Sequence, residues 1–392
     1  MSVKKRKICV VTNTRADYSR LRTLLLALKK HKDVDLVLCV AGSHLLSHYG
    51  YTIKEIERDG FAVAYRIYSE VDGRVLSTMT KSTGLAIIEF SSFFENNRPD
   101  IVVVHGDRFE AFAAATAASM MNIHVAHLQG GDITGTIDEH LRHAISKLSH
   151  FHFPTNDKSA KRLCQLGEDP QHVFSFGCPS VDSILATPTY SFQKFKKQLA
   201  LQTKKKEWLQ RFNEDFILLV QHPVTTEVDS AAKEIVVVLD ALRSFDRSIL
   251  MLWPNIDAGS EKMVSAIKQF ESKTNGLLGV FDNFSVELFH NIMKHTSVIV
   301  GNSSAGIVEA CYFGIPVVNI GSRQQGRLRT ENIVDVACDK KAIKEAVKVQ
   351  LSSTYACSFP YGKKNVGKKI AEKLATIPLP HSQKRLRELP IR

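Results

Sequence analysis

The chain has 392 residues, is 44% hydrophobic and carries a formal net charge of +12. That length exceeds what one hydrophobic core usually fills, so two domains of roughly 180–200 residues each are expected. The charge resembles a nucleic-acid footprint until it is located: residues 1–7 hold four cations, residues 361–392 hold nine against Glu372 and Glu388, and the body is nearly neutral. The ends therefore read as solvated tails, and neither nucleic acid nor membrane is an expected partner. No uncharged apolar run of about 18 residues exists and the N-terminus lacks the apolar h-region of a secretory signal, which points to the cytoplasm. Seven cysteines, an odd number without a CxxC, read as reduced core side chains.

In chain order, short β-branched runs alternate with amphipathic stretches. The first strand, "KICVVTN", ends in "TNTRADYSRL", which places Arg15 where a mononucleotide-binding unit meets phosphate. No GxGxxG follows it, which disfavours a dinucleotide enzyme, and no cofactor is expected. Strands "VDLVLCVAG" and "AVAYRIYS" come next. The fourth, "IVVVHGD", delivers His105, Asp107 and Arg108. Asp107 could cap the following helix, and Arg108 could hold a phosphate bidentately.

The fifth strand, "HVAHLQGG", runs into "DITGTIDEHLRHA". Gly130 and Gly131 permit a tight turn, and a helix is expected to begin near Ile137. On that helix Asp138 and Arg142, and Glu139 and His143, are four apart, the spacing of local ion pairs. The alternative places Asp132 and Asp138 beside Asp107 in an interdomain cleft, where poorly solvated carboxylates exchange protons. "FHFPTN" and "VFSFGC" complete a first domain over 1–185.

Residues 186–212 are Lys-rich without a strand signal and read as a linker region. The alternation then restarts with "FILLVQHP", "ILMLWPN", "LLGVFDN", "SVIVGNSS" and "IPVVNIGS" over a second domain, 213–375, followed by a basic tail, 376–392. Alternation of this kind means an α/β fold of two Rossmann-like, doubly wound units. Open α/β sheets bind ligands beyond the carboxyl ends of their strands. There this half offers His222, Asn255 and Asp257, then Gly301, Ser303 and Ser304 before a helix whose free N–H groups suit a diphosphate. Glu309, about one turn into that helix, could accept from a ribose diol. Arg323 and Arg327 of "GSRQQGR" add positive charge for an anionic ligand.

Taken together, "TNTRADY", "PDIVVVHGDRFEA", "GGDITGTIDEHLRHAISKLSHFH", "QHPVTTE", "PNIDAGS", "GNSSAGIVEA" and "GSRQQGR" resemble the hydrolysing UDP-N-acetylglucosamine 2-epimerases. The resemblance runs in order from about residue 7 to about residue 375. It implies a glycosyltransferase-B-like fold with two Rossmann-like domains facing a cleft, a UDP-sugar substrate, no metal and a homodimer or homotetramer. It also implies that Arg15, Ser19 and Arg108 contact the nucleotide sugar, and that His222, Asn255, Ser303, Ser304, Glu309 and Arg323 hold diphosphate, ribose and uracil. The chemistry implied is loss of the C2 proton with departure of UDP, giving a 2-acetamidoglycal, then addition of water to give the free manno-configured sugar for sialic or legionaminic acid synthesis.

One departure concerns Gln129, where relatives acting on the N-acetylglucosamine nucleotide often carry glutamate. A carboxamide exchanges no proton at neutral pH. Asp107 and Asp138 are then expected to carry proton transfer, with Gln129 hydrogen-bonding substrate, Asp132 assisting and His222 in the reacting set. The substrate is either UDP-N-acetylglucosamine or its 2,4-diacetamido-2,4,6-trideoxy analogue. Rival readings are a UDP-sugar glycosyltransferase, a non-hydrolysing epimerase and a nucleotide-sugar sensor.

Overall fold

The computed structural model describes residues 5–47, 50–73, 75–203, 205–255, 257–274, 276–282, 284–385 and 387. These divide into two compact units, one drawn from Met1–Asp132, Ile137–Ser183 and Pro360–Arg392, the other from Ile133–Thr136 and Ile184–Phe359.

The first unit runs β1 (Arg6–Thr12), α1 (Arg15–Lys30), β2 (Val34–Val40), α2 (Ile53–Arg58), β3 (Tyr65–Arg66), α3 (Leu76–Asn97), β4 (Ile101–His105), α4 (Phe109–Met120), β5 (His124–Leu128), α5 (Asp138–Leu148), β6 (Phe151–Phe153) and α6 (Asp157–Gln165). Its sheet is parallel, in the order β3-β2-β1-β4-β5-β6. A parallel sheet is covered on both faces, so its strands read as unbroken apolar runs. In β1, Ile8 and Val10 pack with Leu21, Leu24 and Leu28 of α1, while Cys9 and Val11 join Phe90 and Phe94 of α3 and the alanines of α4. Thr14 starts α1, its side chain accepting from Asp17 N at 3.2 Å.

After α7 (Ser180–Ala186), α8 (Phe192–Ala200) and α9 (Lys206–Arg211), the second unit runs β7 (Phe216–Val220), α10 (Ala231–Leu242), β8 (Ser248–Leu252), α11 (Ser260–Glu271), β9 (Leu278–Phe281), α12 (Val286–His295), β10 (Val298–Gly301), α13 (Ser304–Val308), β11 (Val317–Ile320), β12 (Ile333–Val336) and α14 (Lys340–Leu351). Its parallel sheet has the order β12-β11-β10-β7-β8-β9. Counted within each unit the two orders are the same, and the direction of winding reverses between β1 and β4 and again between β7 and β10. Those are the crevices where doubly wound sheets take ligands.

Four expectations are corrected. Residues 186–212 are not a linker: α8 and α9 bury Phe195, Leu199 and Trp208 in the second unit, and the Trp208 indole donates to Ile249 O at 3.1 Å. The chain from Pro360 onward belongs to the first unit, not to a second domain reaching 375. There α15 (Val366–Thr376) places Val366, Ile370 and Leu374 in the α1 core, and Asp182 accepts from the Val366 and Gly367 amides. The ends are not simply solvated. Arg6 donates to the carbonyls of Leu374 and Ile377, and Lys384 donates to those of Ser146, Lys147 and Ser149 while pairing with Glu168. Finally, "VFSFGC" forms only an isolated bridge at Val173, and β12 was not expected from the sequence. Among the described residues no helix is long and apolar enough to cross a membrane, and all seven cysteines are free thiols.

Candidate functional site

In the first unit the polar groups gather where β1, β4 and β5 end. Asp107, just past β4, is not a helix cap: Arg108 occupies the N-cap of α4 without a side-chain cap bond. Asp107 instead pairs with the guanidinium of Arg142, which lies about one turn into the 11-residue helix α5 and is only 1% exposed. The same guanidinium donates to the Asp132 carbonyl at 3.0 Å. Burial works against charge on Arg142, yet Asp107, Asp132 and Asp138 together raise its pKa. Arg142 is therefore a shared counter-charge rather than the partner of Asp138 alone. Of the two spacing-predicted pairs on α5, Glu139 and His143 do face each other, at 3.6 Å, although burial lowers the imidazole's pKa. The Asp132 carboxylate accepts from Ser159 Oγ at 2.5 Å.

Gln129 follows β5 with φ +66°, in the left-handed region. For a side chain other than glycine this conformation costs roughly 1–2 kcal/mol. The surroundings hold it: Gln129 Oε1 accepts from Arg20 at 3.0 Å and Nε2 donates to Cys178 Sγ at 3.3 Å, all three residues being buried. His127 lies one turn of strand earlier, its Nε2 2.7 Å from Gly106 O. Burial pushes the His127 imidazole down to about 3, so it is a neutral brace between the ends of β4 and β5.

The expected nucleotide-sugar contacts of this unit sit on or beside α1 and α4. Arg15 lies 3.5 Å from Glu55, and burial lowers its pKa. Ser19 donates to Ala16 O at 2.8 Å. Arg108 donates to Glu110 at 3.0 Å, and burial raises the Glu110 carboxyl against the opposing pull of Arg108.

The second unit builds its strand ends from carboxamides and backbone. Asn302, fully buried after β10, accepts from His222 N and donates to His222 O, both at 2.8 Å. The His222 imidazole in turn accepts from Asn255 N at 3.1 Å. The Asn302 carbonyl receives Arg323 at 3.2 Å and Gln324 at 2.9 Å. His222, Asn255 and Arg323 are thus brought together through Asn302. Gly301 has φ +127°, and a Cβ there would collide with the Val220 carbonyl of the neighbouring strand. Ser303 caps α13 by accepting from Ala305 N, and Ser304 opens that helix. Glu309 is not inside α13 but is its C-cap, buried 3.6 Å from His290. Within "GSRQQGR" the loop meets "ITGT": Arg323 O accepts from Gly135 N at 3.3 Å, and a Cβ on Gly135 would strike Ser322 O. Beside it a pocket of about 500 Å³ is lined by Ser322, Arg327, Arg329 and Asp335, with Arg329 donating to Asp335 at 2.8 Å.

Among the described residues no group of three or more His, Cys, Asp or Glu is placed to hold a metal ion. Sequence reasoning missed Asp17, Arg20, Arg142 as a hub, Cys178, Asn302 and Gln324. Only Asn302 carried a usable signal, as the residue between Gly301 and the two serines.

The UDP-N-acetylglucosamine 2-epimerase family matches residues 26–375. A hydrolysing UDP-N,N'-diacetylbacillosamine 2-epimerase of Legionella pneumophila is 37% identical over 96% of this chain and 97% of its own. A UDP-N-acetylglucosamine 2-epimerase of Neisseria meningitidis serogroup B is 32% identical over 88% of this chain and 86% of its own. Among solved structures, a Neisseria meningitidis UDP-GlcNAc 2-epimerase bound to UDP-GlcNAc aligns with a TM-score of 0.77 at 19% identity, over 94% of this chain and 99% of that one. At that identity the likeness is one of fold.

Proposed function

This chain belongs to the UDP-N-acetylglucosamine 2-epimerase family, and from that premise we propose that it is a hydrolysing 2-epimerase of UDP-2,4-diacetamido-2,4,6-trideoxyglucose. The observation that carries the reading is the set of three aspartates, Asp107, Asp132 and Asp138, that act on the buried guanidinium of Arg142. A nucleotide-binding fold needs no such set, and a positioned carboxylate can take a proton from carbon.

On this reading the second unit holds UDP through the His222–Asn302–Arg323 cluster and the N-terminus of α13, with Ser303, Ser304, Asn255 and Glu309 completing the contacts. Arg15, Ser19 and Arg108 are the nucleotide-sugar contacts of the first unit. A carboxylate takes the C2 proton while the bond from C1 to the UDP oxygen breaks, leaving a 2-acetamidoglycal. Water then bonds to C1 as a proton reaches C2 from the opposite face, and the free manno-configured sugar departs for nonulosonic acid synthesis. Gln129, held by Arg20 and Cys178, shapes the site around the sugar. The enzyme works in the cytoplasm as a homodimer or homotetramer, which light scattering at micromolar concentration checks.

The diacetamido substrate is preferred because the Legionella relative aligns over nearly the whole chain. The Neisseria relative keeps UDP-N-acetylglucosamine as the second reading. UDP release measured on both nucleotides tests the choice: the proposal expects the larger kcat/KM with the diacetamido compound. A larger value with UDP-N-acetylglucosamine moves the assignment to the second reading, and release from neither contradicts both.

A further inference from the structure

The two winding-reversal crevices are furnished differently. Between β7 and β10 stands the neutral Asn302 clamp. Between β1 and β4 stands a titratable pair: His105, the last residue of β4, sets Nδ1 3.0 Å from Asp17 Oδ1 on α1. The two residues are 3% and 6% exposed. The second imidazole nitrogen, Nε2, is buried and has no hydrogen-bond partner among the described residues. Leaving a buried polar atom unsatisfied costs roughly 1–3 kcal/mol. Burial alone raises the Asp17 carboxyl, but the hydrogen bond and charge of His105, with Arg108 and His44, bring it below the usual carboxylate range. Asp17 is thus an ionised acceptor for Nδ1–H, the arrangement that orients an imidazole and stabilises its protonated form.

The reaction proposed above, on which this inference rests, moves three protons. One leaves C2, one leaves the attacking water, and one arrives at C2 on the face opposite the first. The two acceptances fall to Asp107 and Asp138, which gather about Arg142; an ionised carboxylate can take a proton but has none to give. The donor must be a third group, and the Gln129 carboxamide cannot serve. His105 is its neighbour: in register His105 pairs with Leu128, the residue before Gln129. Asp17 and Arg20, three residues apart on α1, hold His105 and Gln129 respectively.

We propose that His105, oriented by Asp17, donates the proton that returns to C2 in the hydration half of the reaction. The Nε2–H bond breaks as the C1=C2 electron pair takes that proton at C2. The water oxygen bonds to C1, and its spare proton passes to a carboxylate. The proton given up at Nε2 is restored between turnovers by water that enters once the product has left, a task suited to an imidazole. Asp17 is a positioning residue.

The test follows both halves by proton NMR, using UDP-2,4-diacetamido-trideoxyglucose and, separately, the synthetic 2-acetamidoglycal with UDP. His105→Gln is expected to keep releasing UDP, to accumulate glycal, and to hydrate added glycal at least ~100-fold more slowly than wild type, the scale of a lost general acid. Asp17→Asn, which removes charge but keeps an acceptor, is expected to slow hydration less and to shift its pH optimum downward. The other titratable groups facing the pair, His44, Arg108, Glu110 and His127, are intact in both variants. Hydration at the wild-type rate in His105→Gln, or equal loss of UDP release and hydration, overturns the proposal. If His105→Gln does not fold, an unshifted profile in Asp17→Asn overturns it. Wild type releasing no UDP at all instead removes the parent reading.

Discussion

Around the strand ends of the first unit ionisable groups meet ionisable groups: Asp107 on Arg142, Asp17 on His105, Arg108 on Glu110. Around those of the second, the buried groups are mostly amides and backbone, with Asn302 spanning His222 and receiving Arg323 and Gln324. The two sheets share one topology, so the difference lies in what was placed on it. Ionisable pairs change protonation and suit a reacting centre, whereas a satisfied amide cluster keeps its shape and suits a group that must be held without being altered. The first unit is the one expected to do chemistry, and the second the one expected to hold UDP.

The sharpest break of that contrast is Asp138→Asn. It is expected to lower turnover by about 10²–10⁴-fold, the usual share of general acid–base catalysis, while calorimetry finds UDP affinity nearly unchanged. Wild-type turnover would remove Asp138 from the mechanism. Next comes Arg142→Met, which takes the buried guanidinium away from Asp107 and is expected to cost about 3–5 kcal/mol in urea unfolding, as when one partner of a buried pair is deleted. A cost under about 1 kcal/mol would place Arg142 among the solvated pairs. Asn302→Ala should act oppositely to Asp138→Asn, weakening UDP binding with kcat preserved, and should destabilise by about 1–3 kcal/mol because the His222 N–H and C=O lose their partner.

Acid should separate the two regions more gently. Burial lowers His44 to about 4 and His127 to about 3, so the stability these neutral rings supply is complete above the ordinary 6.5 and is lost as pH falls below it. Glu168, which burial would raise, is instead drawn to about 2 by His152, Lys384 and Lys147, so its contribution is full above 4.5 and lost as pH falls towards 2. All three residues belong to the first unit, and both tryptophans, Trp208 and Trp253, to the second. On lowering the pH from 7 to 4, amide exchange in α1 and α5 is expected to quicken before tryptophan emission changes; simultaneous change would mean that the two units unfold as one.

How far the sequence could carry this is visible in particular residues. Strand runs such as "VDLVLCV" announce a sheet buried on both faces, and the start of α5 at Asp138 falls where the periodicity puts it. Local patterns also place Asp107, His222 and Ser303 at strand ends. What stays hidden is contact across the chain. Asp17 reads as a first-turn acid on α1, and nothing local says that it meets a histidine 88 residues away. Arg142 reads as a partner for the residue four before it, although it also pairs with Asp107, 35 residues upstream. The cationic C-terminus reads as a solvated tail because charge alone does not show that Lys384 docks on the end of α5 and on Glu168. Residues 186–212 were obscured by their lysines, which surround the buried Phe195 and Trp208.

The most direct measurement is proton NMR of the protein in D2O with UDP-2,4-diacetamido-trideoxyglucose. Released UDP and a free manno-configured sugar carrying deuterium at C2 are predicted, since the proton lost from that carbon is not the one returned. Free sugar that keeps its original C2 proton, or a manno sugar still joined to UDP, would contradict that prediction.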